Sequence, residues 1–155
     1  MFVRYFAVVG RAFDDVVADF EAGTDTWITT LAGAADDSGG RMLGEIGFEV
    51  ASRRVTRQID VELGDPVRQP RVILVPIEWR AAKAAALFPS LSGVIEIAGI
   101  EPATTQVGLS ATYEPPFGLP GRLADRALLH RVAEVTVKNF VDAVARRLGE
   151  VGQPV

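Results

Sequence analysis

Tyr113-Glu114-Pro115-Pro116-Phe117-Gly118, followed by a helical run from about Leu119 to Leu148 that Gly149 closes, is the stretch on which the fold turns. Pro115 and Pro116 lack the amide hydrogen that a sheet ladder uses, so a strand must stop there. Pro120 suits a first helical turn, and Arg146 and Arg147 suit the negative end of the helix dipole. About thirty residues at 1.5 Å each make a rod of roughly 45 Å, enough to cross a small domain. At about 100° per residue, Leu128, Leu129, Val132, Ala133, Val137, Phe140, Val141, Val144 and Leu148 fill a broad apolar arc. Opposite it runs a narrow polar strip of Arg131, Glu134, Lys138 and Asp142. A helix wet only on such a strip has to be enclosed by the rest of the chain.

Upstream of Pro115 the hydrophobic period is two. Thr105 to Tyr113 and Val94 to Ile100 read as strands joined through Glu101-Pro102, and Val107, Leu109, Ala111 and Tyr113 share one face. From Arg71 to Arg80, Ile73, Val75, Ile77 and Trp79 alternate with a set that includes Pro76, which asks for an edge or a bulge. Val55, Ile59, Val61 and Leu63 alternate with polar residues before the turn Gly64-Asp65-Pro66. Met42, Ile46, Phe48 and Val50 predict a further strand from Arg41 onward, and Phe2 to Val9 predicts the first. Ala81 to Phe88 reads either as helix, from its alanines, or as a hairpin connection, from its place between strands.

Two short helices follow the first strand. Phe13, Val16, Val17 and Phe20 recur at helical spacing with Asp14 and Asp15 in the first turn. Thr24-Asp25 can cap a second carrying Trp27, Ile28 and Leu31, which the polar segment Asp36-Asp37-Ser38-Gly39-Gly40 should break into the chain's most mobile loop. The order is that of an α+β domain in which the long helix covers one face of an antiparallel sheet.

At 155 residues and 48% apolar composition the chain suits one domain, residues 1–155, with a real core. Apolar runs fall far short of the eighteen or so residues that span a bilayer, and the N-terminus lacks the pattern of a signal peptide, so no integral membrane segment and a cytoplasmic location are expected. The absence of cysteine removes disulfides, thiolate metal sites and cysteine nucleophiles. A single histidine makes a zinc site implausible, and no phosphate-binding glycine loop or nucleophile elbow is present. Asp36 and Asp37 supply too few oxygens for calcium. No cofactor or metal is expected. A net charge of -4 without a basic run argues against nucleic acid as a partner.

Trp79, Leu87-Phe88-Pro89, Tyr113 to Gly118, Gly121-Arg122 and Asp125 to Arg131 resemble an uncharacterised bacterial branch of the START-like, or SRPBCC, superfamily. That resemblance implies a helix-grip fold: a curved antiparallel sheet of six to seven strands wrapped around a long C-terminal helix, with two short helices after the first strand and a cavity between sheet and helix. The superfamily includes lipid and hormone carriers, polyketide cyclases and aromatases, and accessory proteins of quinone chemistry and stress responses, so the fold does not choose a function.

Arg57 shares parity with Val55, Ile59 and Val61. Either it points inward and fixes an acidic ligand group, or a β-bulge turns it outward. Arg126 and His130 lie one turn apart on the apolar arc of the helix, beside Val137 and Leu148, with Glu134 a further turn along and able to pair with His130. Trp79 and Tyr113 sit on apolar strand faces with polar tips that need partners when buried, and either line a pocket or merely pack; Phe140 lies on the apolar arc of the helix. The expected function is binding of a small hydrophobic ligand by Arg57, Trp79, Tyr113, Arg126, His130 and Phe140, as carrier, sensor or accessory factor. Alternatives are a cyclase or dehydratase using His130, and a protein-interaction factor. The chain is compatible with a homodimer.

Overall fold

Alternation of period two sets the faces of a single sheet. The structure, a computed structural model, describes residues 1–45, 59–81, 89–115 and 126–150. In them β1 (Phe2–Val9), α1 (Phe13–Glu21), α2 (Thr24–Glu45), β2 (Ile59–Leu63), β3 (Val67–Gln69), β4 (Val72–Ala81), β5 (Ser90–Glu101), β6 (Thr104–Glu114) and α3 (Arg126–Glu150) follow in that order. The sheet has six strands ordered β1-β6-β5-β4-β2, with β3 also on β4, and every pairing is antiparallel. Register puts like beside like. Val61, Trp79, Leu91 and Tyr113 make one inward row, and Val75, Ile95, Leu109 and Tyr5 make another. On the other face Glu62, Glu78, Ser92 and Thr112 align instead.

Pro76 lies in the body of β4, yet its missing amide costs nothing. β2 pairs only as far as Ile77 and β3 begins at Leu74, so Pro76 falls at the gap between two short partner strands. Its carbonyl takes the Gly64 amide at 2.9 Å. Because the amide and carbonyl of one strand residue point the same way, the absent donor faces the Gly64-Asp65-Pro66 turn. The expected edge or bulge takes the form of a break between partners.

The second helix departs from expectation. Instead of breaking at Asp36 to Gly40, α2 runs unbroken for 22 residues to Glu45. Ala32, Ala35, Asp36, Gly39 and Gly40 are buried along it. A Cβ on Gly39 would lie 2.2 Å from the Thr136 Oγ1 of α3, so the two helices approach as closely as a bare glycine allows. Glycine costs a helix about 1 kcal/mol against alanine, and tight packing on α3 outweighs it. The same continuation replaces the start of the strand expected from Arg41. Residues 46–58, which hold Ile46, Phe48, Val50, Val55 and Arg57, lie outside the described residues. So do residues 82–88, the ambiguous alanine-rich segment, and residues 116–125, where the long helix was expected to begin.

The long helix is gripped along its length. Leu129, Val132, Ala133, Val137, Phe140, Val144 and Leu148 are buried, and the polar strip stays wet as expected except for the half-buried Asp142. At its end the Arg11 guanidinium donates to the Leu148 carbonyl at 2.7 Å and pairs with Asp19 of α1 at 2.6 Å, placing a cation where the helix dipole is negative. The Thr105 hydroxyl in turn donates to the Arg11 carbonyl at 2.8 Å, tying that corner to β6. Arg147 stands 5.9 Å from the Trp27 ring centroid of α2.

Gly39→Ala should destabilise the protein by about 1–2 kcal/mol in urea unfolding, overpacking exceeding the helix-propensity gain. Thr136→Ala in the same chain should recover much of that loss, and additive losses would show that the contact is not tight.

Candidate functional site

Strand parity aims Trp79 and Tyr113 at α3, and the helix arc aims Phe140 back at them. The Trp79 and Phe140 ring centroids are 5.1 Å apart with planes tilted by 60°. Trp79 and Tyr113 keep only 2% of their surface and Phe140 1%. A void of ligand size beside them would leave wall that a water-sized sphere could touch. Their near-zero accessibility therefore means that side chains fill the space around these rings. The structure brings the predicted interior residues together as packed core.

Arg126 and His130 stand elsewhere. They are exposed rather than facing inward, and the first turn of α3 buries only Leu129. His130 Nε2 approaches Glu134 Oε1 at 3.2 Å, the pairing their spacing predicts, with 47% of the His130 side chain accessible. Together with Arg131, they line a depression of about 900 Å³ where β6 stops and α3 begins. Its apolar surface comes from Met1, Pro115, Ala127 and Leu129. Met1 is fixed there because its ammonium donates to the Tyr113 carbonyl at 2.9 Å and its carbonyl accepts the Tyr113 amide at 2.8 Å. Sequence reasoning missed Met1 and Pro115. Nothing in the pattern announces that the chain terminus extends the β1–β6 ladder by one pair, and Pro115 reads only as a strand stop. Arg57 lies outside the described residues.

A polar cluster flanks this region further along α3. The Tyr5 hydroxyl donates to Asp142 Oδ1 at 3.0 Å and Lys138 Nζ pairs with Asp142 Oδ2 at 2.6 Å. Partial burial acts to raise the Asp142 carboxyl, but the hydrogen bonds from Lys138 and Tyr5, with the charges of Lys138 and Arg146, outweigh it and hold the group below the usual carboxylate value. The same bond to Asp142 pushes the Tyr5 phenol up, burial adding to it. Lys138's own bond to Asp142 is the main cause of the rise at Lys138.

Further concavities lie elsewhere among the described residues. One of about 400 Å³ lies on the outer sheet face among Asp60, Glu62, Glu78, Arg80, Ser92 and Glu114. Another of about 290 Å³ lies between the α1–α2 corner and the ends of β2 and β4. No group of three or more His, Asp or Glu side chains among the described residues is placed to hold a metal ion. No helix among them is long and apolar enough to cross a membrane.

With the sheet on one side of α3 and α2 packed on the other, the architecture is similar to that of a solved structure over nearly its whole length. A conserved protein from Geobacillus kaustophilus superimposes with a TM-score of 0.55 at 12% identity, over 97% of this chain and 96% of that one. The chain has a helix-grip fold. Weaker matches are a hypothetical protein from Helicobacter pylori, with TM-score 0.47, 10% identity and coverage of 94% and 86%, and the ZhuI aromatase/cyclase from Streptomyces sp. R1128, with TM-score 0.45, 12% identity and 99% of both chains covered. Neither a family model nor a curated protein sequence matches the chain.

Asp142, a group whose folded value is depressed, stabilises the protein above the ordinary carboxylate value of 3.8, and that contribution is lost as pH falls through its folded value. Asp142→Asn should therefore cost about 1 kcal/mol at pH 7 and close to nothing in strong acid, as read from urea midpoints at both pH values. A pH-independent difference would show that the carboxylate charge is not what matters.

Proposed function

We propose that the chain binds a small, largely apolar molecule with an acidic end in the depression where β6 meets α3. The observation that carries this reading is the convergence of Arg126, Arg131 and His130, with Glu134 paired to His130, around an apolar floor of Met1, Pro115, Ala127 and Leu129, so that two guanidiniums stand against one carboxylate. The chain as a whole is acidic, with net charge -4, so a basic rim there runs against the average and favours an anion locally. Arginine supplies paired donors that match a carboxylate, and the apolar part of the ligand loses contact with water on Leu129 and Met1. Such a protein works as a carrier, sensor or accessory factor.

Trp79, Tyr113 and Phe140 back the site. Tyr113 is joined to Met1 through the backbone, and Trp79 follows two strands further in on the same row. A short ligand rests in the depression, whereas a longer one reaches the rings only by moving Phe140 off Trp79. A cyclase would need a proton-moving group against an enclosed substrate. With His130 on an exposed rim, binding is the better supported reading. An interaction role draws on one observation: Phe2, Phe6 and Val8 stand exposed on the outer face of β1, at the end of the strand order, with Phe2 63% and Val8 62% accessible.

Titration calorimetry with dodecanoate should show saturable binding, with dodecan-1-ol at least tenfold weaker because it lacks the charge that arginine recognises. Arg126→Ala with Arg131→Ala should weaken dodecanoate about tenfold or more and leave the alcohol nearly unchanged. Equal affinity for acid and alcohol, or a variant that binds the acid as well as the parent chain, would overturn this site.

A further inference from the structure

β1 ends the strand order, and its outer edge carries none of the usual guards. Met1 and Tyr113 exchange both backbone hydrogen bonds, the Met1 ammonium giving to the Tyr113 carbonyl at 2.9 Å and the Tyr113 amide to the Met1 carbonyl at 2.8 Å. Hydrogen-bonded pairs alternate along an antiparallel ladder, so Val3, Tyr5, Ala7 and Val9 also turn their amides and carbonyls toward β6. Those of Phe2, Arg4, Phe6 and Val8 point the other way, where β1 has no second strand among the described residues. Proteins commonly block such an edge with proline, a bulge or a projecting charge. β1 has no proline and an unbroken register, and its one charge, Arg4, lies over the Phe6 ring at 4.5 Å from the centroid. Phe2, Phe6 and Val8 stand exposed along it. An edge this long and apolar is a template for a further strand.

The wet strip of α3 beside that edge says which strand fits. Tyr5, in the middle of β1, bonds to Asp142 through its hydroxyl, and Lys138 Nζ stands 5.7 Å from its ring centroid. The middle of β1 is therefore level with the midpoint between Lys138 and Asp142. Glu134 lies one turn before Lys138, and Arg146, whose charge acts on Asp142, lies one turn after Asp142. Glu134, Lys138 and Arg146 are exposed and Asp142 is half-buried. Along the strip the signs run minus, plus, minus, plus. Reversed about its midpoint, that order becomes its own complement: Glu134 meets Arg146, and Lys138 meets Asp142.

We infer that β1 and the wet strip of α3 form a homodimer interface, with a second copy of this chain paired antiparallel, β1 to β1, about a two-fold axis at Tyr5. The free backbone groups fix the register. Phe2 exchanges hydrogen bonds with Val8 of the second copy and Arg4 with Phe6 of the second copy, so the strand is matched nearly end to end. Each Arg4 then has an aromatic neighbour across the seam, whereas an axis at Arg4 would set two like charges opposite each other. The axis at Tyr5 also passes α3 between Lys138 and Asp142. It lays the two long helices antiparallel on one continuous sheet, at the roughly 10 Å usual for packed helices, with Glu134 facing Arg146 of the second copy. A two-fold interface demands a surface complementary to itself, and the alternating strip meets that demand.

Sedimentation equilibrium at micromolar concentration should return twice the chain mass of 16.6 kDa. Arg4→Pro removes an amide that points away from β6, so the variant should stay folded by circular dichroism and become monomeric. Glu134→Arg alone and Arg146→Glu alone each set like charges across the interface, and each should weaken the dimer about tenfold or more. Mixed in equal amounts, the two variants should associate as tightly as the parent chain, because in the mixed pair both contacts again join opposite charges. Residues 134 and 146 stand about 18 Å apart along one helix, so a contact within one chain cannot produce that rescue. A monomeric parent chain, a dimer undiminished by Arg4→Pro, or single-variant losses that mixing does not restore would each overturn the assignment.

Discussion

Enclosure of α3 is the constraint from which the rest of the structure follows. A helix apolar over most of its circumference and polar on one strip cannot rest on a flat sheet, because too much of its surface would stay wet. Here the sheet covers one side, from Tyr5 of β1 round to Trp79 of β4, and α2 covers the other at the Gly39–Thr136 contact. Arg11 closes the last turn through the Leu148 carbonyl, and the Tyr5–Asp142–Lys138 cluster marks where enclosure stops and water begins.

The same constraint separates interior from site. The inward rings of Trp79, Tyr113 and Phe140 meet side chain on all sides, so chemistry that needs water, a proton donor or a charged ligand has no place among them as they stand. Polar function is left to positions where enclosure is incomplete. At the first turns of α3, Arg126, His130 and Arg131 remain at the surface while Leu129 turns in.

Much of this is legible in the sequence because it follows from period. The alternation of Val107, Leu109, Ala111 and Tyr113 gives β6 and its inward face, the Pro115-Pro116 pair its stop, and the arc from Leu129 to Leu148 the body of α3. Where reading fails, a tertiary contact has overridden a local preference. Gly39 and Gly40 say loop in isolation and close helix contact in the structure, and only the position of Thr136 on another helix decides between them. Pro76 says edge, and what spares it is the place where β2 ends and β3 begins. The site is less legible than the fold. The wheel puts Arg126 and His130 on the apolar arc, yet both are exposed, because how far the arc is covered at its start depends on where the sheet ends. Met1 gave no signal, because nothing in the pattern draws the first residue into a ladder.

A single measurement bears most directly on the claim that the junction of β6 and α3 selects an apolar acid: native mass spectrometry of protein purified gently from its own host, with solvent extraction to identify what leaves it. The account predicts a defined adduct that extracts as an apolar carboxylic acid and is missing from protein in which Arg126 and Arg131 are alanine. A bare mass for the parent chain, or an adduct retained undiminished by that double variant, would contradict it.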